Sequence, residues 1–511
     1  MSRKSDWLFV LSTGIFAILH LPFLDAPNLN LEDFFLHAAR QFAIGGLWAD
    51  TSLYHSWMTN SEGLPMVLSL FFRILPSTTA TARTLVFLSS LAFLVTLWRC
   101  LRLTIGPAQA TVAMLIIETS PLFWVYAGRL SSDAAMLAAY GGAMALILCT
   151  ARKPSWLNLL GAALLLLVAV IIKYPAIILA VTVFPALAWV GQQRGLVRPW
   201  RWAVRSSMIV GAPAVLAMFL YLTYAYMKYG EVLNPDLQPD MFRQTFDMVF
   251  LNVLRYLFWA GVATGPLILV PLLCVVRSQQ RAGMHRRRFL VGWVISITLA
   301  LSTMASVPVL TSGESKLPYF IEPLVQGWLF VLPIACAVFL IVWLFVGAVE
   351  NAYMERNWTW VVWSGVVVIG FSFVRMSNRY ALFLLPPMAV VIAKLVPELL
   401  SRRWFTWFAT ASFVASGTIG LMLDAYWAAQ GRAAGQLSRF AATHCPDGVA
   451  QYGHALEELG DTPFYSLSEN ASCIYQQTRE APVSPDAYLY SVPIRVLGFP
   501  LKWLHLASHS P

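Results

Sequence analysis

Runs of about 20 apolar residues, the length a helix needs to cross a bilayer, recur along the chain as far as Gln430, separated by short charged or Gly/Pro-bearing stretches. Read at that spacing, the pattern predicts thirteen spans: 7–24, 82–101, 107–126, 134–151, 156–172, 176–193, 204–226, 250–276, 289–309, 325–348, 359–374, 380–399 and 405–428, with ends uncertain by about three residues. The expected fold is an all-α polytopic membrane protein. Residues 1–428 form its transmembrane unit.

Two segments break the pattern. Residues 25–81 are too polar to span and too long for a simple connector. In residues 429–511 the aliphatic density falls and Asp, His, Ser and Pro return, as in a small external α/β domain. Cys445 and Cys473 both lie there, and in an oxidising compartment they are expected to pair. Cys100, Cys149, Cys274 and Cys336 sit in apolar runs, where a thiol usually serves as a small hydrophobe.

Composition agrees with the pattern. Of 511 residues 58% are hydrophobic and only 12% charged, against about a quarter charged in soluble domains. The net charge of +10 suggests nucleic acid until its positions are considered. With the N-terminus inside, the inner segments collect eighteen Lys and Arg and the outer segments before the last span nine. By the positive-inside bias the chain is N-in and C-out, and no nucleic-acid partner is expected. Residues 1–24 have a basic start and an apolar run, but no small-x-small cleavage site follows Leu24, so they read as an uncleaved span. No Gly-rich phosphate loop, paired Cys-x-x-Cys, His-Glu-x-x-His or fixed-period repeat occurs.

Chemistry-bearing residues gather on the outer side. If residues 31–42 are helical, Asp33, His37 and Arg40 share one face, and Leu31, Phe35, Ala38 and Phe42 form an apolar stripe. Such a helix lies on the membrane surface and holds a carboxylate where a general base for a membrane-bound acceptor must sit. The plainer alternative is that Glu32 and Asp33 only favour a helix N-terminus. Ser131, Ser132 or Asp133 suit an N-cap, whereas Arg129 at the membrane edge calls for an anionic partner such as a lipid phosphate. Lys173 ends the fifth span in Lys-Tyr-Pro, where snorkelling is the ordinary reading. Lys316, Arg375 and Arg379 fall in the same outer layer. Cations placed against the usual bias point to an anionic ligand.

The acidic pair opening the first external loop, Gly128-Arg129-x-x-x-Asp133, Lys173-Tyr174-Pro175, and Arg379-Tyr380-(x)5-Pro386-Pro387 together resemble the GT-C superfamily. The likeness is greatest to the aminoarabinose transferases of lipid A and the protein O-mannosyltransferases. It implies thirteen spans, a small external C-terminal domain and a polyprenyl-phosphate sugar donor. It also implies a general base at Asp33, with Glu32 as the alternative, and a donor phosphate held by Arg129, Lys173, Lys316, Arg379 and Tyr380. A divalent metal ion shared by Asp33 and Asp133 is a further option. Many members carry His-Pro-Pro-Leu later in the first loop; this chain has Glu62-Gly63-Leu64-Pro65, which leaves His55 and Glu62 as candidates for that place. The expected activity is inverting transfer of a sugar to a hydroxyl of lipid A, another glycolipid, a glycan or a protein, at the outer face of an inner (plasma) membrane. The alternatives are a flippase or transporter of a lipid-linked sugar and a glycan polymer ligase.

Overall fold

The computed structural model describes residues 2–26, 32–57, 62–232, 246–265, 267, 351–373, 378–395, 403–445, 449–451, 473–478, 488–496 and 498–508. Most of them are helical. Among the described residues six helices are long and apolar enough to cross a membrane, or seven if one bent pair counts as a single span. The protein is therefore a multi-pass helical membrane protein with a small C-terminal sheet. The expected spans 289–309 and 325–348, and Lys316 and Arg375, lie outside the described residues.

The first span is α1 (Ser2–Leu24). The long external segment folds into short pieces: α2 (Glu32–Gly45), a 3-10 turn at Gly46–Trp48, α3 (Ser52–Trp57) and α4 (Gly63–Phe72). Helix α2 has the two faces its spacing predicts. Phe35, Ala38 and Phe42 are buried, while His37 and Arg40 are exposed, and the Arg40 guanidinium donates to the Ser77 carbonyl at 2.8 and 3.0 Å.

Helix α5 (Thr79–Thr104) begins at Thr78, whose hydroxyl accepts from Thr81 N. The expected span 107–126 is instead two helices, α6 (Pro107–Thr119) and α7 (Pro121–Ala127), bent by 69°. Pro121 is the reason. The residue before a proline is pushed into extended backbone, and Ser120 sits at φ −60°, ψ 122° while its hydroxyl caps α7.

Next come α8 (Ser132–Cys149), α9 (Trp156–Ile172), α10 (Ala176–Ala180), α11 (Val183–Gln193) and α12 (Pro199–Tyr229). Gly230, at φ 76°, closes α12 in the left-handed conformation that glycine adopts without a Cβ clash. Beyond it lie α13 (Phe246–Thr264), α14 (Asn351–Ser372), a 3-10 turn at Asn378–Leu384 and α15 (Leu385–Leu395). Helix α8 is buried almost all round, with α5, α9 and α11 packed on it. Its apolar but small side chains, Ala, Gly and Ser among them, suit the close helix approach that membrane bundles use. Cys100 at the end of α5 and Cys149 at the end of α8 are paired, with Cα atoms 5.2 Å apart. Packing of the two helix ends, which apolar surroundings alone do not announce, brings them together.

Helix α16 (Arg403–His444) runs unbroken past residue 428. Four strands follow: β1 (Val449–Gln451), β2 (Cys473–Thr478), β3 (Tyr490–Val496) and β4 (Phe499–Ser508). Their order is β1-β2-β4-β3, with β1 parallel to β2 and the other pairs antiparallel. Val492, Ile494 and Val496 alternate inward on β3 and join Leu423, Tyr426, Leu437 and Ala441 of α16 in one apolar cluster. Cys445 and Cys473 are paired, Cα atoms 5.7 Å apart, tying the end of α16 to β2.

Candidate active site

The start of α8 and the end of α9 make the central cluster. Ser131 caps α8: its hydroxyl oxygen accepts from Asp133 N at 3.2 Å, and the hydroxyl donates to Asp133 Oδ2 at 3.2 Å. Helix α9 stops at Lys173, which is extended at φ −156°, ψ 109°, because Pro175 two residues on excludes a continuing helix. Freed from the helix, Lys173 donates from Nζ to Asp133 Oδ1 at 2.6 Å and lies 4.7 Å from the centre of the Tyr380 ring. The 3-10 turn before α15 brings in Arg379, whose Nε is 3.7 Å from Asp133 Oδ2. Asp133 and Lys173 are fully buried, whereas the Arg379 side chain is 32% exposed. Two cations therefore lie beside one carboxylate in an apolar bundle. Ions at this depth are costly and concentrate where an ionic ligand or a function is served.

Glu32 belongs to a second cluster, on the other side of the turn that opens α8. Its carboxylate accepts from Arg83 at 2.5 Å (Nη2) and 3.3 Å (Nε), and from the Leu130 amide at 2.8 Å. Arg83 Nη1 also donates to the carbonyls of Phe23 and Ala26. Glu32 thus pins the first turn of α2 to Leu130, three residues before Asp133. Asp33 stands next to it in α2; its side chain lies outside the described residues.

Arg129 turns away from Asp133. Its guanidinium sits 4.5 Å from the centre of the Trp427 ring on α16 and, with His20, Arg83 and Asp424, lines a cavity of about 20 Å³. A volume of that order holds about one water molecule.

Glu62 and His55 meet in a third cluster together with residues that the sequence reading passed over. Glu62, 1% exposed, accepts at Oε1 from the hydroxyls of Thr51 and Tyr229, and Lys228 Nζ is 3.6 Å away. Lys228 also donates to Thr51 Oγ1 at 2.6 Å and to the Tyr224 hydroxyl at 2.9 Å. The Glu62 amide donates to the Tyr221 hydroxyl at 3.3 Å. His55 stacks on Tyr229 with ring centres 4.0 Å apart, and its Nε2 is 3.2 Å from Glu231. A signal for this group was present. Tyr221, Tyr224 and Lys228 recur at i, i+3 and i+7, one face of a helix, at the outer end of an apolar span.

The first and third clusters adjoin. A Cβ on Gly63 would fall 1.9 Å from the Ile171 carbonyl oxygen, so only glycine lets α4 begin against the last turn of α9. Tyr174 lies within electrostatic range of Tyr380 on one side and of Tyr54 and Tyr221 on the other. Burial pushes the phenols of Tyr54 and Tyr174 well above their ordinary range, so both remain hydrogen-bond donors at neutral pH.

Among the described residues no three His, Cys, Asp or Glu side chains gather to hold a metal ion. Asp133 turns its carboxylate to two cations, a poor setting for a third.

No curated protein matches the chain. Two solved structures of ArnT from Cupriavidus metallidurans are similar to it. The apo form has TM-score 0.42 and 16% identity, covering 90% of this chain and 84% of that one. The form bound to undecaprenyl phosphate has TM-score 0.41 and 14% identity, covering 98% of each chain. Residues 63–221, which run from Gly63 through Asp133 and Lys173 to Tyr221, match the family described as dolichyl-phosphate-mannose-protein mannosyltransferase.

Proposed function

We propose that the protein is an inverting glycosyltransferase that moves a sugar from a polyprenyl-phosphate carrier to a hydroxyl of a membrane-bound acceptor. The observation that carries this reading is the Asp133–Lys173–Arg379 cluster, which gathers a buried lysine and a part-exposed arginine beside Tyr380. The match of residues 63–221 to a family named for a polyprenyl-phosphate sugar donor supports it.

In the reaction, the acceptor hydroxyl attacks the anomeric carbon as the bond to the phosphate oxygen breaks. The carboxylate of Asp33 takes the hydroxyl proton, and the polyprenyl phosphate leaves with the electron pair. Lys173 and Arg379 stabilise the charge that grows on that phosphate, the electrostatic effect that usually contributes most to such catalysis. Asp133 holds Lys173 in place, and the Glu32 carboxylate, occupied by Arg83 and Leu130, anchors the turn on which Asp133 sits. The acceptor is lipid A, another glycolipid, a glycan or a protein hydroxyl at the outer face of an inner (plasma) membrane. The N-terminus is inside, and the segment after residue 428 is the external domain.

Transfer and binding measured side by side test the proposal. Lys173→Met in the full chain should weaken binding of undecaprenyl phosphate and lower transfer about 100-fold or more. Asp33→Asn should leave binding intact and remove transfer. Unchanged undecaprenyl phosphate binding by folded Lys173→Met refutes the phosphate site, and movement of an intact lipid-linked sugar with its phosphate bond unbroken refutes the enzyme.

A further inference from the structure

The phosphate cluster makes no use of Glu62, although Glu62 is as buried as any group in it. Thr51, Tyr229 and Lys228 all bind Oε1. Oε2 is buried and meets no donor among the described residues. A desolvated carboxylate oxygen without a donor is rare and costly in folded proteins, and a bound ligand is one way to supply the donor. The surroundings narrow the chemistry of that ligand. Lys228 already balances the charge of Glu62, so a second cation is not called for. Neutral hydroxyl groups are the fitting donors, and the stacked rings of His55 and Tyr229 offer the apolar face on which the C–H side of a sugar ring packs. The rim is open at Glu231, which is 34% exposed.

Position selects one sugar. Gly63 touches the Ile171 carbonyl two residues before Lys173, and Tyr174 links the surroundings of Glu62 to Tyr380, over which Lys173 lies. The Glu62 cluster is thus the neighbour of the phosphate cluster across Lys173 and Tyr174. In a lipid-linked donor the sugar is bonded directly to the phosphate.

We propose that Glu62, His55 and Tyr229 form the subsite for the donor's sugar, with Glu62 Oε2 accepting one of its hydroxyls. This rests on the phosphate-site reading above. Lys228 and Thr51 act as positioning residues that hold the carboxylate with Oε2 available.

The test uses the full chain in nanodiscs without acceptor. Dissociation constants are measured for undecaprenyl phosphate and for a panel of undecaprenyl-phosphate pentoses and hexoses. The wild type should bind at least one sugar-bearing lipid more tightly than the bare lipid. Glu62→Gln should cut that preference roughly ten-fold or more, the effect of losing a charge-assisted hydrogen bond, and should move the bare-lipid constant much less, because the bare lipid brings no sugar hydroxyl to Oε2. Tyr229→Phe keeps the ring and should cut the preference by a smaller factor. A structural tie between α4 and α12 would lower thermal stability without moving the ratio. An unchanged ratio in folded Glu62→Gln, a loss confined to the KM for acceptor, or no sugar preference in the wild type overturns the inference. If Glu62→Gln fails to fold, Tyr229→Phe decides, and an unchanged ratio there overturns it equally. Lys173→Met reports separately: bare-lipid binding that survives in it refutes the phosphate site, whatever Glu62 does.

Discussion

Two buried carboxylates stand on either side of the turn that opens α8, and they are used in opposite ways. Glu32 faces a fixed guanidinium and a backbone amide, and Arg83 spends its remaining donors on the carbonyls of Phe23 and Ala26. That group is closed: both partners of its ion pair are about 5% exposed or less. Asp133 instead faces two cations, one of them a third exposed. That group is open at Arg379. Burial of an ion pair alone therefore does not separate the two groups; an accessible member does.

Removing the carboxylate on either side should produce the largest effects and is the sharpest way to break this contrast. Glu32→Gln and Asp133→Asn each leave a buried cation without its partner, a loss of about 3–5 kcal/mol. The two should part company when lipid is added. Undecaprenyl phosphate should raise the melting temperature of Asp133→Asn, because a phosphate replaces the missing anion beside Lys173, and should do nothing comparable for Glu32→Gln. Equal rescue of both, read by thermal denaturation with and without the lipid, would erase the distinction.

The C-terminal sheet is closed by a covalent bond instead of a charge. Cys445 and Cys473 are 28 residues apart, and losing a crosslink over such a loop costs about 3 kcal/mol. Cys445→Ser should speed hydrogen exchange in β2 and β4 while undecaprenyl phosphate binding stays within about two-fold of wild type, since distant independent sites change little together. A large fall in lipid binding would show that the sheet belongs to the open group.

Much of this arrangement could be read in the residues, and the part that could not has definite physical causes. Apolar run length carried the spans, and helical spacing carried the faces of α2. Lys173 was visible because a lysine at the end of an apolar run, followed by Tyr-Pro, must leave its helix. What spacing does not encode is direction. Arg129 and Asp133 are four residues apart in one turn, yet α16 draws the first to Trp427 and α9 draws the second to Lys173. Partners far along the chain are equally silent: Glu62 meets Lys228 across 166 positions of sequence. The 69° break at Pro121 was legible in principle, because a proline in a span marks it, but the surrounding apolar run hid it.

A milder change sharpens the contrast from the accessible side. Arg379→Gln keeps the Asp133–Lys173 pair and removes only the exposed cation, so stability should move by less than about 1 kcal/mol. Undecaprenyl phosphate binding should weaken about ten-fold, the loss of one charge-assisted contact. A stability loss as large as that of Glu32→Gln would place Arg379 in a closed group.

The smallest effect concerns a buried histidine of the C-terminal sheet. His505 on β4 is enclosed by the sheet, and its Nδ1 lies 2.8 Å from the Ser491 hydroxyl. Burial lowers its pKa below the ordinary 6.5. The unfolded chain then binds the proton more readily than the folded one, so stability is intact above pH 6.5 and falls as pH drops through 6.5 toward the lowered value. Hydrogen exchange in β3 and β4 should quicken at pH 5.5 relative to the rate expected from intrinsic chemistry, by no more than about five-fold. His505→Gln should abolish that pH dependence, and a dependence that persists undiminished in the variant would mean that another group of the sheet carries it.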